Sequence, residues 1–293
     1  MNLPKTVQIV DVGPRDGLQN IQTLVPTEQK VKLINGLTKA GVMRIEATSF
    51  VHPKWVPQLA DAEQVLAQIG RPPGMRCIAL IPNVRGYDRA HASGAVDEVA
   101  LVIAASETMN HKNVNMSIQA SLEQCQIIID RAKSDGIAVR GSIATAFGCP
   151  YEGPVPASKV LELTQQLFDM GADEVMFADT IGCANPAQVY DLFARVKDWW
   201  PDRAVAAHFH DTRHLALANA LAALLAGVDI YDASIGGLGG CPFTPKGAGN
   251  VATERLVFMM HEMGIETGVD YHALLEVAAV AGSLKPLEPV EAV

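Results

Sequence analysis

The sequence predicts a (β/α)8 barrel, and three observations carry that expectation. Eight short, apolar, β-rich runs alternate with helical segments between residues 7 and 235. Glycine recurs where a helical segment hands over to the next run, at Ala40-Gly41, Ser93-Gly94, Asp135-Gly136, Met170-Gly171 and Ala226-Gly227. Glycine takes the left-handed conformation that ends a helix at no steric cost. No Gly-x-Gly-x-x-Gly follows the first run, which argues against an open dinucleotide-binding sheet. A length of 293 residues with 49% hydrophobic content suits one large α/β unit.

Taken in order, the first strand is residues 7–12 and leads into Asp11-Val12-Gly13-Pro14-Arg15-Asp16-Gly17-Leu18-Gln19-Asn20. Gly13 and Gly17 are expected to free the backbone for conformations closed to other residues and to let a ligand approach. Pro26-Thr27-Glu28 opens a helix over 27–40. The remaining strands are predicted at 44–49, 75–81, 98–104, 138–144, 174–178, 204–210 and 229–235. Helices are predicted near 57–68, 84–93, 119–135, 157–170, 186–199 and 214–226, with Asn185-Pro186 as a further helix start. The strands are nearly continuous apolar runs, as parallel strands buried on both faces require. Two last helical segments, near 251–263 and 270–281, are read as additions packed on the barrel. Residues 1–293 then form a single domain, with the barrel over about 5–240 and a cysteine loop plus C-terminal helices over about 236–293.

Composition narrows the function. The net charge of −9, with no basic run or basic–aromatic stripe, excludes a nucleic-acid partner. No apolar run approaches the roughly 18 residues of a membrane span. Met1 to Lys5 is too short and mixed for a signal peptide, and Pro289 to Val293 is no peroxisomal address. Five cysteines in no paired pattern fit a reducing compartment, so a soluble cytoplasmic protein is expected.

In a barrel, the C-terminal strand ends form the site. Polar residues converge on that rim: Arg15-Asp16 after strand one, Glu46 and Thr48 on strand two, and Ser106-Glu107 after strand four. Arg140, Ser142 and Thr145 follow on strand five, Asp179-Thr180 on strand six, His208-Phe209-His210-Asp211 on strand seven and Ser234 on strand eight. His208 and His210 stand at i, i+2 and share a strand face. With a carboxylate such as Asp16 they form a metal-ligating set that fits Zn²⁺, Fe²⁺, Mn²⁺ or Mg²⁺. Arg15-Asp16 alone would fit a turn salt bridge equally well; the convergence favours a site. Glu46 is placed to orient the Arg15 guanidinium, and Asp179 to hydrogen-bond a ligating His. Gly236-Gly237-Leu238-Gly239-Gly240-Cys241-Pro242-Phe243 reads as a mobile loop carrying a thiol over the barrel mouth. Asn250 follows Gly247-Ala248-Gly249 and offers an oxygen ligand. Cys149, on a Gly/Pro loop, reads as structural, and Cys77, Cys125 and Cys183 as strand or helix filler.

Several stretches together resemble the 3-hydroxy-3-methylglutaryl-CoA lyase family, nearly from end to end. They are Val12 to Asn20, Glu46-Ala47-Thr48-Ser49-Phe50-Val51, Pro53 to Gln58 and Gly148-Cys149-Pro150-Tyr151-Glu152-Gly153. Asp179-Thr180-Ile181-Gly182, His208 to Thr212, Gly237 to Pro242 and Gly249-Asn250 complete them. The cysteine loop is the most specific of these. The resemblance implies a divalent cation, Mg²⁺ or Mn²⁺, on Asp16, His208, His210 and Asn250. It implies Arg15 as stabiliser of an enolate oxygen, Glu46 as its support and Cys241 as a catalytic thiol, with His208 and Asp179 also in the catalytic set. The implied reaction is retro-Claisen cleavage of the thioester to acetyl-CoA and acetoacetate. Arg15, Gln19, Thr48, Ser106, Arg140, Thr180, Arg213 and Lys246 are the expected substrate contacts. A homodimer or higher homo-oligomer is the expected assembly.

The chain departs from that family after Asp211-Thr212, where Arg213, His214 and Leu215 replace an aromatic residue, Gly and Gln. Thr244-Pro245-Lys246 also replaces a run of small residues. Gln22 stands where many members carry Lys; Lys112 and Arg85 read as surface charges. These changes leave the acyl group open: a citramalyl-type thioester is the alternative substrate, and a Claisen-type synthase or a non-catalytic CoA-binding barrel the more distant readings.

Overall fold

A computed structural model of the chain describes residues 3–240 and 249–284. Eight parallel strands close into a barrel in simple sequential order. They are β1 (Gln8–Asp11), β2 (Arg44–Ser49), β3 (Arg76–Leu80), β4 (Glu98–Ala104), β5 (Ala138–Ala144), β6 (Glu174–Asp179), β7 (Ala204–Phe209) and β8 (Ile230–Ala233). Closure is made by β1 on β8, with Val10 opposite Asp232 and Asp11 opposite Ala233. The expected barrel is therefore the observed one.

The outer ring comprises α1 (Thr27–Lys39), α2 (Ala62–Gln68), α3 (Val84–Ala92), α4 (Glu107–Val114), α5 (Ile118–Ser134), α6 (Ala157–Met170), α7 (Pro186–Trp199) and α8 (Ala216–Leu225). Two more helices, α9 (Thr253–Glu262) and α10 (Tyr271–Ser283), pack on the barrel as anticipated. The main core lies between strands and helices, where Ile34, Leu37, Val99, Ile129, Phe177 and Phe193 are fully buried. The barrel lumen is filled differently: small apolar groups such as Val10, Ile78 and Ala100 share it with buried charges.

Two elements differ from the sequence expectation. Helix α4 was not foreseen, because Glu-Thr-Met-Asn-His-Lys-Asn-Val has no apolar stripe and buries only Met109 and Asn110. Its start is set by Ser106, whose hydroxyl accepts the Met109 N–H. The expected helix 57–68 divides into a 3-10 turn (Pro57–Leu59) and α2. Gln58 explains the break. Its amide accepts the Val25 N–H at 2.8 Å and donates to the Ile21 and Thr23 carbonyls at 3.0 Å, tying the loop after β1 to this turn.

The loop that follows β1 is one wide helical turn, Gly13–Gly17. Neither glycine takes a positive φ, so conformational freedom is not why they are glycine. Space is the reason. A Cβ on Gly17 would lie 2.8 Å from both Leu238 Cβ and Ser234 Oγ, and one on Gly13 2.8 Å from Asp11 Oδ1. The turn is pressed onto the end of β8, and Asp11 fastens it by accepting the Gly13 N–H at 2.8 Å. The same carboxylate accepts the Thr253 hydroxyl at 2.6 Å, at the start of α9.

Residues 249–253 complete the rim. Asp211 N–H donates to Gly249 O at 2.9 Å and Val251 N–H to Phe209 O at 3.0 Å. Ser234 N–H then donates to Val251 O at 2.9 Å. This segment thus threads between the ends of β7 and β8, and His210 and Asn250 become direct antiparallel neighbours.

Candidate active site

At the C-terminal end of the barrel, ligand atoms of Asp16, His208 and His210 all lie within 4.8 Å of one another, and all three residues are buried. Asp16 is the hub. Its Oδ1 accepts from Arg15 Nη1 at 2.7 Å and Gln19 Nε2 at 3.1 Å. Its Oδ2 accepts from Asn250 Nδ2 at 2.8 Å and lies 3.9 Å from His210 Nε2. Burial works against charge on Asp16, but Arg15 and the two imidazoles outweigh it and hold the carboxyl at about 2. Asp16 is therefore an anion at neutral pH, as a hard-cation ligand must be.

Asn250 gives an independent indication of a missing partner. Its Nδ2 is used twice, toward Asp16 and the Leu238 carbonyl at 3.1 Å, while its buried Oδ1 has no partner among the described residues. A buried acceptor left unmade is costly. One carboxylate, two imidazoles and one amide oxygen fit a divalent cation of the Mg²⁺, Mn²⁺ or Fe²⁺ type.

Arg15 sits between two carboxylates. Nη1 faces Asp16 and Nη2 contacts Glu46 Oε2 at 2.6 Å, as anticipated for Glu46. The guanidinium is only 11% exposed, and its Nε has no partner among the described residues. A rigid cation with an unused buried donor at the barrel mouth is suited to an oxyanion. Thr48, on β2, has a buried hydroxyl without a partner among the described residues.

Some expected contacts are corrected. Asp179 does not hold a histidine: its carboxylate accepts the Cys183 and Ala184 N–H groups at 2.9 and 3.0 Å and fastens the turn after β6. The partner of His208 Nδ1 is Asp232 Oδ2, at 3.1 Å. Burial disfavours charge on His208, yet this hydrogen bond and the Asp232 charge raise its pKa above the ordinary imidazole value. The sequence pattern does not single out Asp232; its one signal is a carboxylate two residues before Ser234 on an otherwise apolar strand. Arg140 does not reach the mouth. It is buried inside the barrel against Glu174 and Asp232. Ser106 caps α4 and donates its hydroxyl to Cys149 Sγ at 2.9 Å, which supports the structural reading of Cys149. Cys77 and Cys125 are buried filler, but Cys183 is partly exposed in the loop after β6, and burial together with Asp179 pushes its thiol up to about 12.

Thr180 is half-buried and accepts the Thr145 N–H at 2.8 Å, joining two rim loops. Arg213 is exposed, and its Nη1 donates to the Cys183 carbonyl at 3.2 Å. His214 is 85% exposed at φ +56°, a left-handed position that favours glycine. Lys112 lies over the Tyr151 ring at 4.8 Å. Cys241 and Lys246 lie outside the described residues.

Comparison with known proteins agrees with this geometry. The HMGL-like family model matches residues 6–281. The mitochondrial hydroxymethylglutaryl-CoA lyase of Bos taurus is 49% identical over 276 residues, covering 94% of this chain and 85% of its own. The HMG-CoA lyase structure from Bacillus subtilis superposes with a TM-score of 0.95 at 44% identity, covering 99% of this chain and 98% of its own. An HMG-CoA lyase from Acinetobacter baumannii, solved with coenzyme A and 3-methylmalate, gives 0.90 at 40% identity, covering 95% and 92%. With a barrel, a clustered ligand set and similarity running through nearly the whole sequence, the chain belongs to the HMGL-like family.

Proposed function

We propose that this protein is a carbon–carbon lyase that cleaves 3-hydroxy-3-methylglutaryl-CoA to acetyl-CoA and acetoacetate. The observation that carries this reading is the meeting, at one barrel mouth, of the Asp16–His208–His210 cluster with an Arg15 guanidinium held by Asp16 and Glu46. Asp16, His208, His210 and Asn250 would hold a divalent cation, Mg²⁺ or Mn²⁺, which would supply Lewis acidity for ionising the substrate hydroxyl.

The reaction needs three things from the protein. The tertiary hydroxyl must lose its proton. The bond between C2 and C3 must break, leaving a ketone on one fragment and a thioester enolate on the other. The enolate must then take a proton at C2. Arg15 answers the second need as a buried cation whose Nε–H has no partner among the described residues, suited to the charge that gathers on the thioester oxygen. Glu46 and Asp16 keep that guanidinium from swinging, so little reorganisation is required as charge develops. Asp232 holds His208 by Nδ1 and leaves Nε2 toward the cluster. Gln19, which donates to Asp16, and Thr48, whose buried hydroxyl has no partner among the described residues, are proposed as substrate contacts. Thr180, Arg213 and Lys246 are proposed as further substrate contacts, and Cys241 as the proton-transferring group, its thiolate taking the hydroxyl proton and the resulting thiol returning it to C2.

A related branched thioester is the second reading, favoured by exposed Arg213 and the left-handed His214 at the rim. One assay separates them: acetyl-CoA release from hydroxymethylglutaryl-CoA and citramalyl-CoA in parallel, with Mg²⁺ or Mn²⁺. Faster cleavage of the first supports the primary reading, faster cleavage of the second replaces it, and no cleavage of either sinks both.

No helix among the described residues is long and apolar enough to cross a membrane. With Cys77, Cys125, Cys149 and Cys183 all unpaired, a reducing, cytoplasmic setting is proposed. The exposed Phe258 on α9 and Leu275 on α10 are proposed as the face of a homodimer or higher oligomer, testable by sedimentation of the Phe258→Glu variant.

A further inference from the structure

The lumen below the site holds a continuous line of buried charges. Arg44 grips both oxygens of Glu98 through its Nε, at 3.0 Å, and its Nη2. Its Nη1 reaches across the barrel to Glu174 Oε2 at 2.7 Å. The other oxygen of Glu174 lies 2.6 Å from Arg140 Nε, an ion contact whose angle does not make a hydrogen bond. Arg140 Nη2 then donates to Asp232 Oδ1 at 2.6 Å, and Asp232 Oδ2 meets His208 Nδ1 at 3.1 Å. The five acidic and basic members of the line are buried.

Such a line is expensive to bury, and hydrophobic side chains of similar volume would serve stability as well. Its orientation suggests another use. Arg140 engages one oxygen of Asp232 and so turns the other toward His208. An ionised, anchored carboxylate accepts from Nδ1–H, which leaves the Nε2 lone pair for the ligand cluster. Charge also runs in one direction. In the two paired sets, three guanidiniums (Arg15, Arg44, Arg140) face five carboxylates (Asp16, Glu46, Glu98, Glu174, Asp232). Asp179 adds another, held by backbone N–H groups. The excess is negative and lies toward the mouth, where a bound cation would balance it.

We propose that Arg140, anchored by Glu174 and Arg44, is a positioning residue that fixes the rotation of Asp232 and through it the tautomer and aim of His208. The cation-binding part rests on the proposed function; the imidazole part does not. Neither group touches substrate, so the effect reaches the reaction only through His208.

The test uses the full chain with ¹⁵N-labelled histidine. In the wild type, His208 is expected to show a downfield Nδ1–H proton protected from exchange, and Mn²⁺ titration followed by electron paramagnetic resonance reads the affinity. Arg140→Met is the direct variant. Because that variant takes a cation away from Glu174 and Asp232 and is prone to misfold, it is paired with the Arg140→Met, Glu174→Gln double variant, which keeps the net charge of the line unchanged. Loss of the protected Nδ1–H signal with about a ten- to hundredfold weaker Mn²⁺ affinity is expected in the folded variants. Arg140→Lys, which keeps the charge but not the fork, is expected to recover part of both. An unchanged Nδ1–H signal in the folded variants overturns the proposal, even if Mn²⁺ affinity falls. Absence of Mn²⁺ binding by the wild type overturns the cation reading instead, and the Nδ1–H signal still decides the positioning role.

Discussion

Arg15→Ala separates enolate stabilisation from cation binding. The guanidinium lies 2.7 Å from Asp16 and 2.6 Å from Glu46, with Nε unused. A unit positive charge about 3 Å from a developing oxyanion is worth roughly 5 kcal/mol at an effective dielectric constant near 20. The two flanking carboxylates offset part of this, leaving about 3–4 kcal/mol, the range measured for one oxyanion donor. Turnover at saturating substrate is therefore expected to fall by about 10²–10³-fold, with little change in KM. Arg15→Lys keeps a charge but cannot bridge Asp16 and Glu46 at once, so it should recover only part of the loss. The effect on cation binding has the opposite sign. Without Arg15 the carboxyl of Asp16 moves up from about 2 toward its ordinary value, yet stays ionised at pH 7, and a neighbouring positive charge is gone. Mn²⁺ affinity should hold or tighten. The assays are acetyl-CoA release and Mn²⁺ titration on the same preparation. A variant whose turnover returns to the wild-type value once Mn²⁺ is saturating would refute the enolate role.

Three further outcomes are expected. Burial pushes Asp11 up to about 7, despite its Thr253 and Gly13 hydrogen bonds, so between pH 4 and 7 the folded state holds more protons than the unfolded one. Stability contributed at this site falls as pH rises through that window, by at most roughly 4 kcal/mol, and is level above about 7; urea titrations should show a flatter pH profile for Asp11→Asn, and an unchanged profile would contradict it. Protein stripped with EDTA should melt higher after Mn²⁺ is added, since a hundredfold excess over Kd contributes about 2.7 kcal/mol; Asp16→Asn should lose most of that shift in calorimetry. Gly249→Ala drives a Cβ into the Gly237 carbonyl, a backbone atom that cannot give way, so the Asn250 segment must move; both the melting temperature and the Mn²⁺ affinity should drop, and wild-type values for both would show the segment to be more yielding than its packing indicates.

The residues of the site were legible in the sequence where chemistry and local period coincide. His208 and His210 share a face because a strand repeats every two residues, and Arg15-Asp16 follows a strand that had to end where it does. Glu46 was found by the same rule, and the structure places it on Arg15. The departures have one origin. Arg140 is polar and on strand five, but Glu174 and Asp232 hold it inside the barrel; Asp179 stands at a strand end but takes the N–H groups of the turn after β6 in place of a histidine; Ser106 stands at the rim with its hydroxyl engaged by the start of α4 and by Cys149. Position along a strand tells which residues approach the rim; it does not tell which polar groups are spent before they reach it.

By itself the sequence determined a parallel α/β plan, since apolar strands alternate with glycine-capped helices, and eight such units with no dinucleotide fingerprint after the first strand favoured the closed barrel over an open sheet. It also determined the kinds of side chain brought to the C-terminal rim, because those follow from local period. Only the tertiary structure decided the pairings. Asp16 meets Asn250 across 234 positions of chain, Asp232 rather than Asp179 takes His208, and Gly13 and Gly17 prove to be glycine for room against Ser234 and Leu238. Hydrogen-bond partners are chosen by competition among all the buried donors and acceptors that closure brings together, and that competition has no local signature in the chain.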